Sequence, residues 1–196
     1  MLDIYEKLIQ GLLDKGFASV DNWLSSDELI GLRKSLLQHQ KDNRFHSAGI
    51  GNKENLVTVK KIRNDAICWL DPSKANKFEQ QFFKKIDDFT NYLNATCFAG
   101  IRSYEFQYAI YYKGSFYKKH VDVFKNDDKR QFSMVFYLTK EWKKGDGGEL
   151  MLYVNDIEVE IQPIPGRMVF FKSDIPHEVL VSNFKRLSLT GWMKSL

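Results

Sequence analysis

The helical period that organises the first half of this chain is lost near residue 95, and nothing beyond that point reads as helix. In its place stand eight short β-type runs, at 104–112, 115–123, 132–138, 149–154, 157–161, 167–171, 177–181 and 187–193. Turn chemistry separates them. Gly145-Asp146-Gly147-Gly148, Asn155-Asp156 and Pro163-Ile164-Pro165-Gly166 are the clearest turns, because Gly, Asn and Asp tolerate left-handed backbone and Pro presets φ. Helices followed by a run of strands define an α+β chain. The expected architecture is a double-stranded β-helix, a cupin-like jelly roll with a core of about eight strands, buttressed on one face by about three N-terminal helices.

The first half supplies those helices. Leu2, Tyr5, Leu8, Ile9, Leu12 and Leu13 recur at helical spacing and stop before Gly16, a typical left-handed terminator. Phe17-Ala18-Ser19-Val20 reads as a strand. Ser25-Ser26-Asp27-Glu28 is a capping box that opens a second helix running to about Gln40, expected to bury Leu29, Leu32, Leu36 and Leu37 and to turn His39 toward water. Residues 41–61 become polar and small, with Gly49, Gly51, Asn52 and Asn55, and read as a mobile loop with His46 near solvent at its beginning. Residues 62–70 alternate into a strand with Arg63 and Asp65 on one face, ended by Asp71-Pro72. Phe78, Phe82, Ile86, Phe89 and Leu93 mark a third helix from about Ser73 to Leu93.

With 196 residues, 43% of them hydrophobic, the chain can bury about 70% of its unfolded surface, which suits one domain over residues 1–196. In that domain residues 1–95 form the support and 96–196 the jelly-roll core. The net charge of +4 comes from interspersed residues, short of the basic stripe that nucleic acid requires. Lys118, Lys119, Lys125, Lys129 and Arg130 read as a solvated rim. Cys68 and Cys97 form no CxxC pair, which argues against structural zinc and against a disulfide framework, and points to the reducing cytoplasm. No apolar run approaches the roughly 18 residues of a membrane span, and the N-terminus lacks a signal-type apolar region.

Chemistry concentrates in His120-Val121-Asp122. On a strand the outer two side chains leave the same face, about 7 Å apart along the chain, so one imidazole and one carboxylate can meet one metal ion. The triplet alone is common by chance. Of the remaining histidines, His177 heads the apolar run of Ile175-Pro176-His177-Glu178-Val179. Two histidines and one carboxylate form the open-faced triad that suits Fe(II). Nine positions after His177 comes Arg186, and a strand there sends Arg186, Ser188 and Thr190 to one face, a guanidinium fork with hydroxyls suited to a carboxylate.

As a set, these motifs resemble the 2-oxoglutarate and Fe(II)-dependent dioxygenases, in the prolyl-hydroxylase branch that includes the oxygen-sensing enzymes and their bacterial relatives. The resemblance covers about residues 17–193. It rests on Tyr111-Tyr112-Lys113-Gly114-Ser115-Phe116-Tyr117 leading into His120-Val121-Asp122, and on Phe136-Tyr137-Leu138 followed by Trp142 and Gly147-Gly148-Glu149-Leu150. Phe170-Phe171 before Pro176-His177-Glu178-Val179, then Arg186 and Trp192, complete the set. Ile62-Arg63-Asn64-Asp65-Ala66-Ile67-Cys68-Trp69 is similar to the segment that ends the substrate-covering loop in that branch, here about 41–61.

The resemblance implies that His120, Asp122 and His177 hold Fe(II), with no catalytic side chain beyond the metal centre. Arg186 would bind the far carboxylate of 2-oxoglutarate with Tyr137, beside Ser188. Tyr112 would lie near the metal-chelating end, and Val135, Leu150 and Trp192 would wall the pocket. Arg63 and Asp65 would sit at the substrate entrance, with Asp65 paired to Arg130. The reaction implied is hydroxylation of an unactivated C–H bond as 2-oxoglutarate and O₂ become succinate and CO₂, with ascorbate as reductant. The Arg63-Asp65-Trp69 segment favours a prolyl residue in a protein or peptide. The nucleic-acid repair branch carries a further arginine six residues after the 2-oxoglutarate arginine, where this chain has Trp192. A hydroxylase of a small molecule or free amino acid, and a noncatalytic jelly-roll binding module, stand as the alternatives.

Overall fold

The computed structural model describes residues 2–49, 61–123 and 129–195. Helix α1 (Leu2–Lys15) is followed by strand β1 (Phe17–Val20) and helix α2 (Ser26–Lys41). Strands β2 (His46–Ser47) and β3 (Ala66–Trp69) and helix α3 (Lys77–Cys97) complete the first half. Then come β4 (Ser103–Tyr111), β5 (Tyr117–His120), β6 (Arg130–Tyr137) and β7 (Leu150–Val154). The last four are β8 (Ile157–Ile161), β9 (Met168–Lys172), β10 (His177–Val179) and β11 (Arg186–Lys194). The eight strands from β4 onward answer to the eight β-type runs of the sequence.

Two antiparallel sheets result, one of seven strands in the order β1-β9-β6-β11-β4-β3-β2 and one of four in the order β5-β10-β7-β8. The large sheet is buried on both faces. Its outer side chains, among them Phe106, Tyr108, Met134, Phe136, Phe170 and Leu189, join the helices in one core. Inner ones, including Ala109, Tyr111, Val135, Tyr137 and Phe171, face the small sheet in a second core. The period-two alternation therefore separates two buried faces rather than core from solvent, which is why the strands are apolar almost throughout. Gly191 marks the tightest approach to the outer face: a Cβ there would lie 2.1 Å from the Phe106 ring, its neighbour on β4.

The helices follow the expected signals with local departures. The Ser25 capping box is present on α2. Asn76 caps α3 with a second box, after a short 3₁₀ turn over Pro72–Lys74, so the helix starts later than Ser73 and runs on to Cys97, where Phe98 adopts left-handed backbone. Leu2, Leu13 and Leu37 are exposed. On α2 the buried stripe takes Leu32, Leu36 and His39, at the i, i+4, i+7 spacing of one helix face. The expected solvent-facing His39 is thus buried. Its Nε2 meets Glu79 of α3 at 2.8 Å and its Nδ1 lies 2.6 Å from an Arg44 nitrogen. Of the expected loop, residues 46–47 form β2 against β3; residues 50–60, like Lys125 of the rim, lie outside the described residues.

Candidate active site

A cavity of about 500 Å³ lies between the two sheets. Its wall carries His120, Asp122, His177 and Arg186, four residues that the sequence scatters over 67 positions from the end of β5 to the start of β11. Strand pairing assembles them, since β10 lies beside β5 with His177 opposite His120.

One ligand atom from each of His120, Asp122 and His177 falls within 4.8 Å of the others, the metal-competent cluster found among the described residues. Asp122 Oδ1 is 3.7 Å from His120 Nε2, and Oδ2 is 3.4 Å from His177 Nε2. These separations exceed a good hydrogen bond, so the atoms surround a common point instead of binding each other. Each imidazole is oriented from behind: His120 Nδ1 donates to the Lys118 carbonyl at 2.8 Å and His177 Nδ1 to the Ile175 carbonyl at 2.9 Å. With the proton on Nδ1, the Nε2 lone pair faces the cluster, the tautomer a metal requires. Ser133 Oγ donates to Asp122 Oδ2 at 2.6 Å and meets Ser173 Oγ at 2.9 Å.

The electrostatics agree. Burial, reinforced by His177, pushes His120 down to about 3, so it is a neutral donor at physiological pH. Burial acts to raise the Asp122 carboxyl, but His177, His120 and the Ser133 hydrogen bond outweigh it and hold the group below its ordinary range. Two imidazoles and an ionised carboxylate on one side of an open point fit Fe(II) and leave positions free.

The other end of the cavity is built for an anion. Arg186 is 2% exposed, and its guanidinium lies 4.7 Å above the Tyr111 ring and 4.9 Å above that of Tyr137. Arg186 Nε, the Tyr137 hydroxyl and Ser188 Oγ are all buried without a hydrogen-bond partner among the described residues. A buried arginine without its anion is unfavourable by roughly 3–5 kcal/mol, which identifies the group that belongs here as a carboxylate or similar acid. Burial raises the Tyr137 phenol above its ordinary range, keeping it a donor. Gly148 makes room for the clamp, as a Cβ there would stand 3.0 Å from Arg186 Cδ.

Val135, Leu150, Trp192, Arg63, Asp65 and Arg130 line the same cavity, whereas Tyr137 and Ser188 are not among its lining residues. Two expectations are corrected. Tyr112 is 43% exposed and accepts a hydrogen bond from Gln40 at 2.8 Å, outside the cavity. The inward tyrosine is Tyr111, which the β4–β11 register places opposite Arg186; one step along a strand reverses the face. Asp65 does not pair with Arg130. It takes Arg63 in a two-pronged contact, Nε to Oδ1 at 2.8 Å and a terminal nitrogen to Oδ2 at 2.6 Å. Arg130 instead reaches Glu105 at 2.6 Å and covers the Trp192 ring at 3.8 Å. The expected strand over 62–70 is reduced to β3, and Arg63 and Asp65 both precede it. There a partner two residues away closes a bidentate pair locally, whereas Glu105 is the acid that β4 brings beside β11 and Arg130.

Sequence reasoning passed over Ser133 and Tyr117. Ser133 shares a face with Val135 and Tyr137, a signal available from alternation alone. Tyr117 stacks on His120, ring centroids 3.5 Å apart, and carries Arg63 at 4.2 Å on its ring. Burial pushes its phenol up to about 12.

Comparison with known proteins accords with this geometry. A family model described as the 2OG-Fe(II) oxygenase superfamily matches residues 106–194. A solved prolyl-4-hydroxylase of Pseudomonas putida is 30% identical and superposes with a TM-score of 0.89, covering 98% of this chain and 100% of that one. The chain belongs to the 2OG-Fe(II) oxygenase superfamily. Its two sheets form the double-stranded β-helix of that family. A hypoxia-inducible factor prolyl hydroxylase of Caenorhabditis elegans is 30% identical over 218 residues. That alignment takes in 96% of this chain but 28% of the relative, so the chain spans little more than a quarter of that protein's length. A prolyl hydroxylase of Trichoplax adhaerens, solved with a peptide fragment of hypoxia inducible factor, shares the fold with a TM-score of 0.87 at 24% identity, covering 98% of this chain and 90% of that one.

Proposed function

We propose that this oxygenase hydroxylates a prolyl residue of a protein, with His120, Asp122 and His177 holding Fe(II) and Arg186, Tyr137 and Ser188 holding the far carboxylate of 2-oxoglutarate. One observation carries the reading. Three metal-competent ligand atoms and a buried guanidinium face the same cavity, and the guanidinium lies against the ring of Tyr137, whose hydroxyl is buried without a partner among the described residues. Similarity to the Pseudomonas putida prolyl-4-hydroxylase over nearly the whole chain supports proline as the target.

Iron and 2-oxoglutarate, when bound, supply the oxidising chemistry: O₂ and 2-oxoglutarate become succinate and CO₂ while a C–H bond becomes C–OH. The protein's own part is placement and exclusion. The Lys118 and Ile175 carbonyls hold both imidazoles in the ligating tautomer, and Ser133 fixes the Asp122 carboxylate. Tyr137 stays protonated and offers its O–H to the carboxylate that neutralises Arg186. Val135, Leu150 and Trp192 keep water from the reacting centre. At the entrance the Arg63–Asp65 pair is tied to the backbone by an Arg63 donation to the Gly49 carbonyl at 3.2 Å, which suits an opening that admits an extended chain. Ascorbate as reductant and a cytoplasmic setting belong to the same proposal. The two cysteines, both free, support a reducing compartment, and among the described residues no helix is long and apolar enough to cross a membrane.

Iron-loaded protein is expected to convert 2-oxoglutarate to succinate, and to add one oxygen to members of a set of short blocked peptides each containing one proline, read by mass spectrometry. Oxidation confined to free metabolites sinks the prolyl assignment. Failure to bind either iron or 2-oxoglutarate sinks the role assigned to the site.

A further inference from the structure

The cavity wall holds one buried polar side chain that none of the roles above employs. Gln107 is 4% exposed, lines the cavity from the middle of β4, and buries its Oε1 without a hydrogen-bond partner among the described residues. Its cross-strand neighbours are Trp69 on β3 and Thr190 on β11, and both line the same cavity. Trp69 is 38% exposed and Thr190 half-buried, so Gln107 is the buried middle of this row of three. An apolar residue would fill the position without leaving an amide unpaired.

We propose that Gln107 is a specificity-determining residue whose side-chain amide pairs with the backbone N–H and C=O of a residue flanking the target proline. The inference rests on the prolyl-hydroxylase reading above. Two arguments separate this role from cosubstrate binding. Along β4, Gln107 stands four residues from Tyr111, the residue opposite Arg186, a span of about 13 Å, so it faces a different part of the cavity from the clamp. A primary amide also presents a donor and an acceptor together. A carboxylate uses only the donor and leaves Oε1 unpaired, whereas a residue in extended conformation presents its own N–H and C=O on the same side of the chain and satisfies both. Proline has no N–H of its own, so the matching group belongs to an adjacent residue of the chain. A free amino acid offers no such group, and Gln107 therefore selects for a polypeptide.

The test uses full-length, iron-loaded protein and the proline peptide it oxidises best, with two analogues in which the nearest peptide N–H on either side of proline is replaced by an ester oxygen. The wild-type enzyme is expected to lose about tenfold in kcat/KM on one analogue, the worth of one buried hydrogen bond. Gln107→Met, similar in length and apolar, is expected to raise the peptide KM by about tenfold and to abolish discrimination between peptide and ester. A merely structural role lowers kcat for peptide and ester alike and overturns the inference. So does a rise in the KM for 2-oxoglutarate with the peptide KM unmoved, which assigns Gln107 to the cosubstrate. If the variant fails to fold, wild-type indifference to both esters overturns it just as well. Wild-type protein that binds neither iron nor 2-oxoglutarate sinks the prolyl-hydroxylase reading instead.

Discussion

His39 and His177 are both buried, on opposite faces of the same large sheet, and their surroundings differ in one respect. Behind the sheet, His39 has both ring nitrogens engaged, by Glu79 and Arg44, and Ser35 and Asn76 bond each other at 3.0 Å beside them. In front, His177 and His120 each spend one nitrogen on a backbone carbonyl and turn the other to an open point, while Arg186 faces no acid among the described residues. Burial of polar groups is common to both regions, so burial by itself marks no site. Unpartnered atoms occur behind the sheet too, at Trp23 Nε1 and the Tyr108 hydroxyl. Among the described residues, though, it is the cavity that gathers three metal-competent ligand atoms and a guanidinium without a counter-ion, charged and ligating groups that a folded protein tolerates where a ligand supplies the partner.

Substitutions sharpen that contrast. The largest effect is expected for His177→Ala, which should abolish iron retention and lower succinate formation by about a thousandfold or more, whereas His39→Ala should leave iron content intact; metal analysis and succinate release check both. Next, Glu79→Ala leaves the buried His39 Nε2 without its partner behind the sheet and should cost about 1–3 kcal/mol in a denaturant titration. Arg186→Met should do the reverse, stabilising the ligand-free protein by about 1 kcal/mol or more while raising the KM for 2-oxoglutarate by about a hundredfold. A loss of ligand-free stability in Arg186→Met breaks the comparison, because it means the guanidinium already has its partner. The smallest effect is expected for Ser133→Ala, which frees the Asp122 carboxylate and should weaken iron binding by about tenfold, measured by competition with a chelator.

Much of this was legible beforehand. The loss of helical period near residue 95, the capping box at Ser25 and the turn chemistry follow from local preferences that neighbouring residues impose on one another. His120, Asp122, His177 and Arg186 stood out because their chemistry is rare in such spacing. Tyr111 was hidden beside Tyr112 because two adjacent tyrosines satisfy the same composition, and only the pairing of β4 with β11 decides which turns inward. The partner of Asp65 is hidden for a similar reason: a sequence names possible partners, but the distance between them is a property of the fold. His39 looked solvated because polar residues usually are, yet its spacing with Leu32 and Leu36 already placed it on the buried stripe, and Glu79 from another helix made that burial tolerable.

The sequence by itself therefore determined the kinds of element, their order and the chemical inventory of the cavity, since these depend on interactions within a few residues and on side-chain type. The tertiary structure alone decided which inventory items meet. Strand register turns Tyr111 in and Tyr112 out, sets His177 opposite His120, and carries Gln107 into the wall beside Trp69 and Thr190. Contacts between residues far apart in the chain depend on how two whole sheets pair and pack, and a shift of a single residue in that pairing exchanges every inward side chain for an outward one.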